Sequence, residues 1–214
     1  VTSSVEPANA PTLNTATSHR GPEVIAVLGL SLGMSAIYAL LSYLRAELTV
    51  RGGISATTAT VAAGARTANM VLNIAYDVVG VVQGLMPVLL VLVLLSRDPA
   101  TPGFGIGLHR RPTRADLLQG AGFAALIGIP GLVLVWAAHQ LGVSAQLAVV
   151  DVPDTWYRVP LLLLQAAQNG ALEEVVVVGY LLTRLRQLGW SDGRALGASA
   201  VLRGSYHLYQ GLGG

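Results

Sequence analysis

Two adjacent carboxylates, Glu173 and Glu174, stand inside the run ALEEVVVVGYLLTRLR at 171–186, which is otherwise almost wholly apolar. A charge at the centre of a bilayer costs about 2.5–3.5 kcal/mol on insertion scales. A side-by-side pair therefore needs either chemistry to perform or a partner to neutralise it. Such a carboxylate can take a proton from water as a general base, ligate a metal, or form half of an ion pair. Further on, RGSYH at 203–207 supplies a guanidinium, Arg203, and an imidazole, His207. An imidazole beside a carboxylate can position a water or stabilise an oxyanion. The chain has no cysteine, which excludes a thiol nucleophile, thiolate-bound zinc and disulfides.

Helical spacing sorts these groups into faces. Gln165, Asn169 and Glu173 are four apart and share one face, with Glu174 turned about 100° from it. Ser199, Arg203 and His207 share a face of the next helix, with Tyr206 and Gln210 beside it. Depth matches as well. Thirteen residues separate Glu173 from Arg186, and thirteen separate Arg194 from His207, on antiparallel helices joined by the turn at 187–193. At about 1.5 Å per residue, both groups lie about 20 Å below the same end.

The elements that must carry them are membrane helices. The chain is 53% hydrophobic and 11% charged, against about 25% charged in an ordinary soluble domain. The expected fold class is all-α, a polytopic transmembrane bundle of about five spans. These are 23–44, 69–96, 117–141 with a kink at Pro130, 158–186, and a last one from 194 onward. Residues 1–20 read as a polar tail without the pattern of a signal peptide, and 21–214 as the membrane-embedded domain. The loop 45–66 could hold a short interfacial helix. The chain begins with Val and stops in an apolar, uncapped stretch, so further natural sequence beyond Gly214 is expected.

All 13 basic side chains are arginines. Those at 97–114 and at 184–194 mark cytoplasmic loops, which puts the N-terminus in the cytoplasm of a multi-pass cell-membrane protein. Arg45, Arg51 and Arg66 run against that assignment. No basic block with interleaved aromatics suggests nucleic acid as a partner. Asn69, Asn73 and Asp77 form a stripe that must avoid lipid, and interhelical hydrogen bonding is favoured over lining a cavity.

EEVVVVGYLLTRL followed by ASAVLRGSYHLYQG resembles the CPBP family of intramembrane proteases, also called the CAAX-prenyl-protease or Abi family. Glu173 and Glu174 match the paired glutamates of its first motif, Gly179 the following glycine, and His207 the histidine of its second motif. Val178 stands where the family usually has arginine, and Arg203 where it usually has phenylalanine. We expect Arg203 to supply the missing cation from the neighbouring helix at nearly the same depth. The resemblance implies peptide-bond hydrolysis by a glutamate-activated water. Glu173 would be the base, Glu174 its support and His207 the group that positions water or oxyanion. It also implies a third motif, a later helix with another histidine, which lies outside these residues.

Other readings compete. The substrate on the leading one is a peptide or protein in the bilayer, with no cofactor. A divalent metal such as zinc on the two glutamates and His207 is an alternative, although the HExxH spacing is absent. A non-catalytic self-immunity or assembly factor is another, in which the cluster only fixes helix packing. An ion-coupled transporter relaying protons through Asp77, Glu173 and Glu174 is a third. Substrate identity and oligomeric state are not legible from the residues.

Overall fold

The computed structural model describes residues 19–60, 69–101, 106, 111–148 and 156–213. The expected tail at 1–18, the aspartates at 151 and 154 and the histidine at 109 lie outside them. Helix α1 (Arg20–Gly29) and helix α2 (Leu32–Thr49) occupy the first apolar stretch. They form a pair bent by 53° instead of one straight span. The break is local chemistry: Ser31 Oγ donates to the Val27 carbonyl at 2.6 Å. A Cβ on Gly33 would meet the Leu28 carbonyl oxygen at 2.6 Å, a contact only glycine avoids.

A 3-10 turn at Gly53–Ala56 and strand β1 (Thr58–Thr60) follow, where a short interfacial helix was the expectation. Helix α3 (Met70–Ser96) starts at Asn69, whose side chain accepts from the Leu72 N–H at 3.1 Å. Helix α4 (Arg114–Gln140) starts at a Thr113–Asp116 capping box and runs unbroken through Pro130. Strand β2 (Gln146–Ala148) pairs in parallel with β1, so the helical fold carries one small sheet.

The next helix is continuous over Arg158–Gln187, but it is built from three parts. These are α5 (Arg158–Leu172), a π-helical segment (Glu173–Leu181) and α6 (Leu182–Gln187). Helix α7 (Asp192–His207) returns antiparallel and ends in a 3-10 turn at Leu208–Gln210.

The expectation of about five spans needs correction. Among the described residues, three helices are long and apolar enough to cross a bilayer, α3, α4 and Arg158–Gln187, or four if the bent α1–α2 pair counts as one. Helix α7 has only 16 residues, and the chain then turns at Gly211, with φ of +102°. There it is pinned to the loop after α4: Ala145 N donates to Gln210 O at 2.8 Å, and Leu212 N to Val143 O at 3.0 Å. The protein is a multi-pass helical membrane protein.

The core sits around the π-helical segment, where Val176, Val177 and Tyr180 are fully buried. Valines of α1 and α3 and Ala195 of α7 pack against them. By contrast, α4 buries only Ala138 and exposes Leu118, Phe123 and Ile127. Lipid tails are as apolar as these side chains, so such exposure carries no cost in a bilayer.

Buried charges are paired across helices. Asp77, expected in an interhelical role, accepts from Arg158 Nη1 at 3.1 Å, and both side chains are at most 5% exposed. Asn73 is buried beside it on α3, while Asn69 serves as the cap. At the other end of α3, Arg184 is 2% exposed, although the sequence places it among solvated loop arginines. Its Nε donates to Glu23 at 2.7 Å, and its Nη1 to Asp98 and Gln187. Tyr180 Oη donates to the same Glu23 at 2.9 Å, and Arg20 lies 3.6 Å from Asp98. This cluster locks the starts of α1 and the ends of α3 and α6 at one end of the bundle.

Removing one member of a buried pair strands the other. Asp77→Leu is expected to cost about 3–5 kcal/mol, and Asp77→Leu with Arg158→Met to recover most of it. Unfolding of the detergent-solubilised protein measures both; equal losses in the single and double variants would contradict the pairing. Asp98 adds a pH dependence. Burial alone would raise its pKa, but the Ala100 N–H and the Arg184 guanidinium outweigh that and hold it below the usual 3.8. Its stabilisation is therefore fully present above about pH 3.8 and is lost as pH falls through the lower folded value. Asp98→Asn should flatten that acid limb in a thermal-stability profile.

Candidate functional site

Glu173 and Glu174 are the first two residues of the π-helical segment. In a π-turn the backbone bonds from i to i+5, and most occur as single turns, frequently at functional sites. Here the widening runs for nine residues, through four β-branched valines that crowd a regular helix, to Gly179 and beyond. Gly179 admits a close neighbour: a Cβ there would meet Ile106 Cγ2 at 2.8 Å. The regular-helix geometry assumed from sequence does not hold along this stretch, yet the two helices still meet at one level.

Arg203 makes that contact. Its Nη2 lies 3.0 Å from Glu173 Oε2 and its Nη1 3.3 Å from Glu174 Oε1, so one guanidinium spans both carboxylates. A planar fork suits two oxygens held side by side. The carboxylates are not equivalent. Glu173 is 23% exposed and faces inward, whereas Glu174 is 64% exposed. Val178, at the position where the resembling proteases carry arginine, is half-buried in the core's margin. The cation thus comes from α7 instead, and Arg203 does not extend away from the acids.

Beside Glu173, a cavity of about 180 Å³ lies between α2, α5 and α7. Asn169, Glu173, Tyr206 and His207 line it together with Ser35. Among the described residues, no hydrogen bond or ion pair joins Glu173 directly to His207; they face a shared space. The cavity can hold a water, which needs about 30 Å³ of liquid volume and polar partners. The Tyr206 and His207 rings stand 4.8 Å apart at 49°. Ser199 is buried and donates from Oγ to the Val177 carbonyl at 3.3 Å, tying α7 to the π-helical segment. A larger cavity of about 620 Å³ adjoins the first, sharing Ser35 and Leu172 with it. Its walls come from the bend between α1 and α2 and from α3 at Gly80, Gln83 and Pro87.

The arrangement brings Glu173, Glu174, Arg203 and His207 into one neighbourhood, while Gln165 and Gln210 do not line the cavity. Glu173 and His207 share the cavity, Arg203 sits over Glu173, and Glu174 lies on the outer side of the same guanidinium. A metal fits less well. Among the described residues, no three His, Asp or Glu side chains converge as ligands, and Arg203 occupies the oxygens that a cation would need.

The sequence profile of a family described as Type II CAAX prenyl endopeptidase Rce1-like matches residues 155–214. The similarity to the CPBP/Abi family is detected over these residues alone, the C-terminal third of the chain. The matched segment holds α5, the π-helical segment, α6 and α7, and so contains every residue of the carboxylate–guanidinium–imidazole group. No curated protein matches the chain, and no solved structure does.

Sequence reasoning missed two features of this domain. It treated the π-helical segment as regular helix, although four consecutive valines ending in glycine mark a stretch ill suited to one. It also gave Tyr206 no role beyond a place beside the polar face, whereas the tyrosine lines the cavity. The position of Arg203 generates a test. Arg203→Phe is expected to lower stability by about 1 kcal/mol, a figure already reduced for the half-open setting. Adding Val178→Arg should restore much of that loss from the other helix. Thermal midpoints of the purified single and double variants report it, and a double variant no better than the single would exclude the exchange.

Proposed function

We propose that this protein is an intramembrane endopeptidase of the CPBP type, acting on a peptide or protein within the bilayer. The observation that carries the reading is the shared cavity of Glu173 and His207 inside the family-matched segment. Glu173 takes a proton from a water held in that cavity, and the resulting hydroxide attacks the scissile carbonyl carbon. His207 orients the water and the carbonyl. Glu174 and Arg203 hold Glu173 in place, with Arg203 offsetting the cost of a carboxylate at this depth. The proton taken by Glu173 passes to the leaving amine as the carbon–nitrogen bond breaks. The adjoining larger cavity offers space for apolar residues beside the cleaved bond. By the arginine rule, the end that holds Arg20, Asp98 and Arg184 faces the cytoplasm.

One observation favours a second reading. A guanidinium shared by both glutamates is also what a purely structural cluster would contain, as in a non-catalytic immunity or assembly factor. Glu173→Gln separates the two. It keeps shape and hydrogen bonding but removes the base, and general-base loss costs about 10²–10⁴-fold. The purified variant should lose cleavage of a quenched-fluorescent peptide library to that extent, with insertion and abundance unchanged. Wild-type rates in the variant would defeat the assignment of the base.

A further inference from the structure

Helix α3 is the most apolar of the three long spans, and from Val78 to Leu95 its single polar side chain is Gln83. Gln83 stands at the midpoint of the helix, its side chain is exposed, and among the described residues its carboxamide makes no hydrogen bond. Pro87, one turn on, has no N–H, so the Gln83 carbonyl also lacks its helical donor. At the centre of a bilayer no water replaces such partners, and each unsatisfied group is costly. A leucine would suit lipid better, so an amide kept there calls for a ligand with matching groups.

The surroundings say which ligand. Gly80, Gln83, Gly84 and Pro87 share one face of α3 and line the cavity of about 620 Å³. Nothing lies within 4 Å of a Cβ built on Gly80, so the face is open beside Gln83. A Cβ on Gly84 would meet the Gln168 side-chain nitrogen at 2.5 Å, which puts Gln83 about level with the turn of α5 that precedes Glu173. Ser35 and Leu172 then continue the wall into the cavity of Glu173 and His207.

We propose that Gln83 binds the main chain of an extended peptide segment in the larger cavity and sets it against Glu173. The inference rests on the peptidase reading above. A peptide bond within a helix is tied into that helix, so hydrolysis needs an unwound segment. In lipid, the N–H and C=O groups freed by unwinding have no water to bond. A carboxamide offers a donor and an acceptor, the same pair as a peptide group. Gln83 therefore takes one N–H and one C=O of the segment, while Leu30 and Met86 receive its apolar side chains. Bond making and breaking stay at Glu173.

Gln83→Leu in lipid nanodiscs, assayed on a quenched-fluorescent apolar transmembrane peptide beside wild type and Glu173→Gln, tests this. The expected result is a KM raised about 3–10-fold, the loss of one or two hydrogen bonds, with kcat within about twofold. The thermal midpoint should hold or rise, since an unpaired amide has left the lipid. Methylating the peptide's main-chain nitrogens one at a time reports the contact itself. One position should weaken cleavage by the wild type and have no further effect on Gln83→Leu. An unchanged KM, or the same methylation profile in both, while Glu173→Gln is inactive overturns the role of Gln83 and leaves the peptidase reading standing. A raised KM in Gln83→Leu with full activity in Glu173→Gln supports the contact and removes the glutamate from its role. A wild type that is dimeric by light scattering and a Gln83→Leu that is monomeric overturn the inference in favour of a contact between copies. No cleavage by the wild type overturns the reading and this inference with it. If Gln83→Leu does not fold, Gln83→Met, unbranched and of similar length, is read by the same criteria.

Discussion

Among the described residues, the carboxylates that tie one helix to another are each matched by an arginine from a different helix. Asp77 on α3 meets Arg158 on α5, Glu23 and Asp98 meet Arg184 on α6, and Glu173 meets Arg203 on α7. The constraint behind this is solvation. A lone charge in a low-dielectric interior is so costly that partners must be supplied by the protein itself. Helices that are otherwise sheathed in interchangeable apolar side chains gain little register from packing alone. The ion pairs set where each helix stops sliding. Arginine suits the task, since its planar fork can satisfy two oxygens at once, as it does over Glu173 and Glu174.

The pairs differ in what they leave accessible. Arg158–Asp77 is sealed, whereas the Arg184 cluster opens through Glu23 onto a cavity of about 240 Å³, its guanidinium buried with the Tyr180 ring 5.5 Å away. The Arg203 group is half-open, and beside Glu173 lies a polar cavity. A carboxylate that is held but still reachable is the state a general base requires. The π-helical segment contributes by placing Glu173 and Glu174 at the start of a widened turn, beside the core's most buried valines. Rigid packing behind the acids and space in front of them coexist within one helix. That is how catalytic groups are held to a small tolerance.

Much of this was legible in the residues. A carboxylate pair in an apolar run is anomalous by its transfer energy alone, and helical rise sufficed to place Glu173 and His207 at one depth on neighbouring helices, with Arg203 nearly level with Val178. The polar stripe ending in Asp77 announced a buried interhelical role for the same reason. Membrane residence followed from composition, because so few charges cannot cover a soluble surface. The paired glutamates, Gly179 and His207 carried the family resemblance, and the family match falls on the segment that holds them.

What the tertiary structure decided was everything that depends on long-range partners. Nothing in the local pattern of Arg184 distinguishes it from Arg186; one is buried against Glu23 and Asp98, the other pairs at the surface with Asp192. The bend at Leu30–Ser31 and the short α7 change the span count because small residues and the loop contacts after α7 answer to packing, not to hydropathy averages. The parallel pairing of β1 with β2 joins segments about 90 residues apart, beyond any local signal. Likewise, Tyr206 is an ordinary aromatic in the sequence. Only the assembled helices show its side chain buried at the edge of the cavity that Glu173 and His207 share, because burial belongs to the fold and not to the residue.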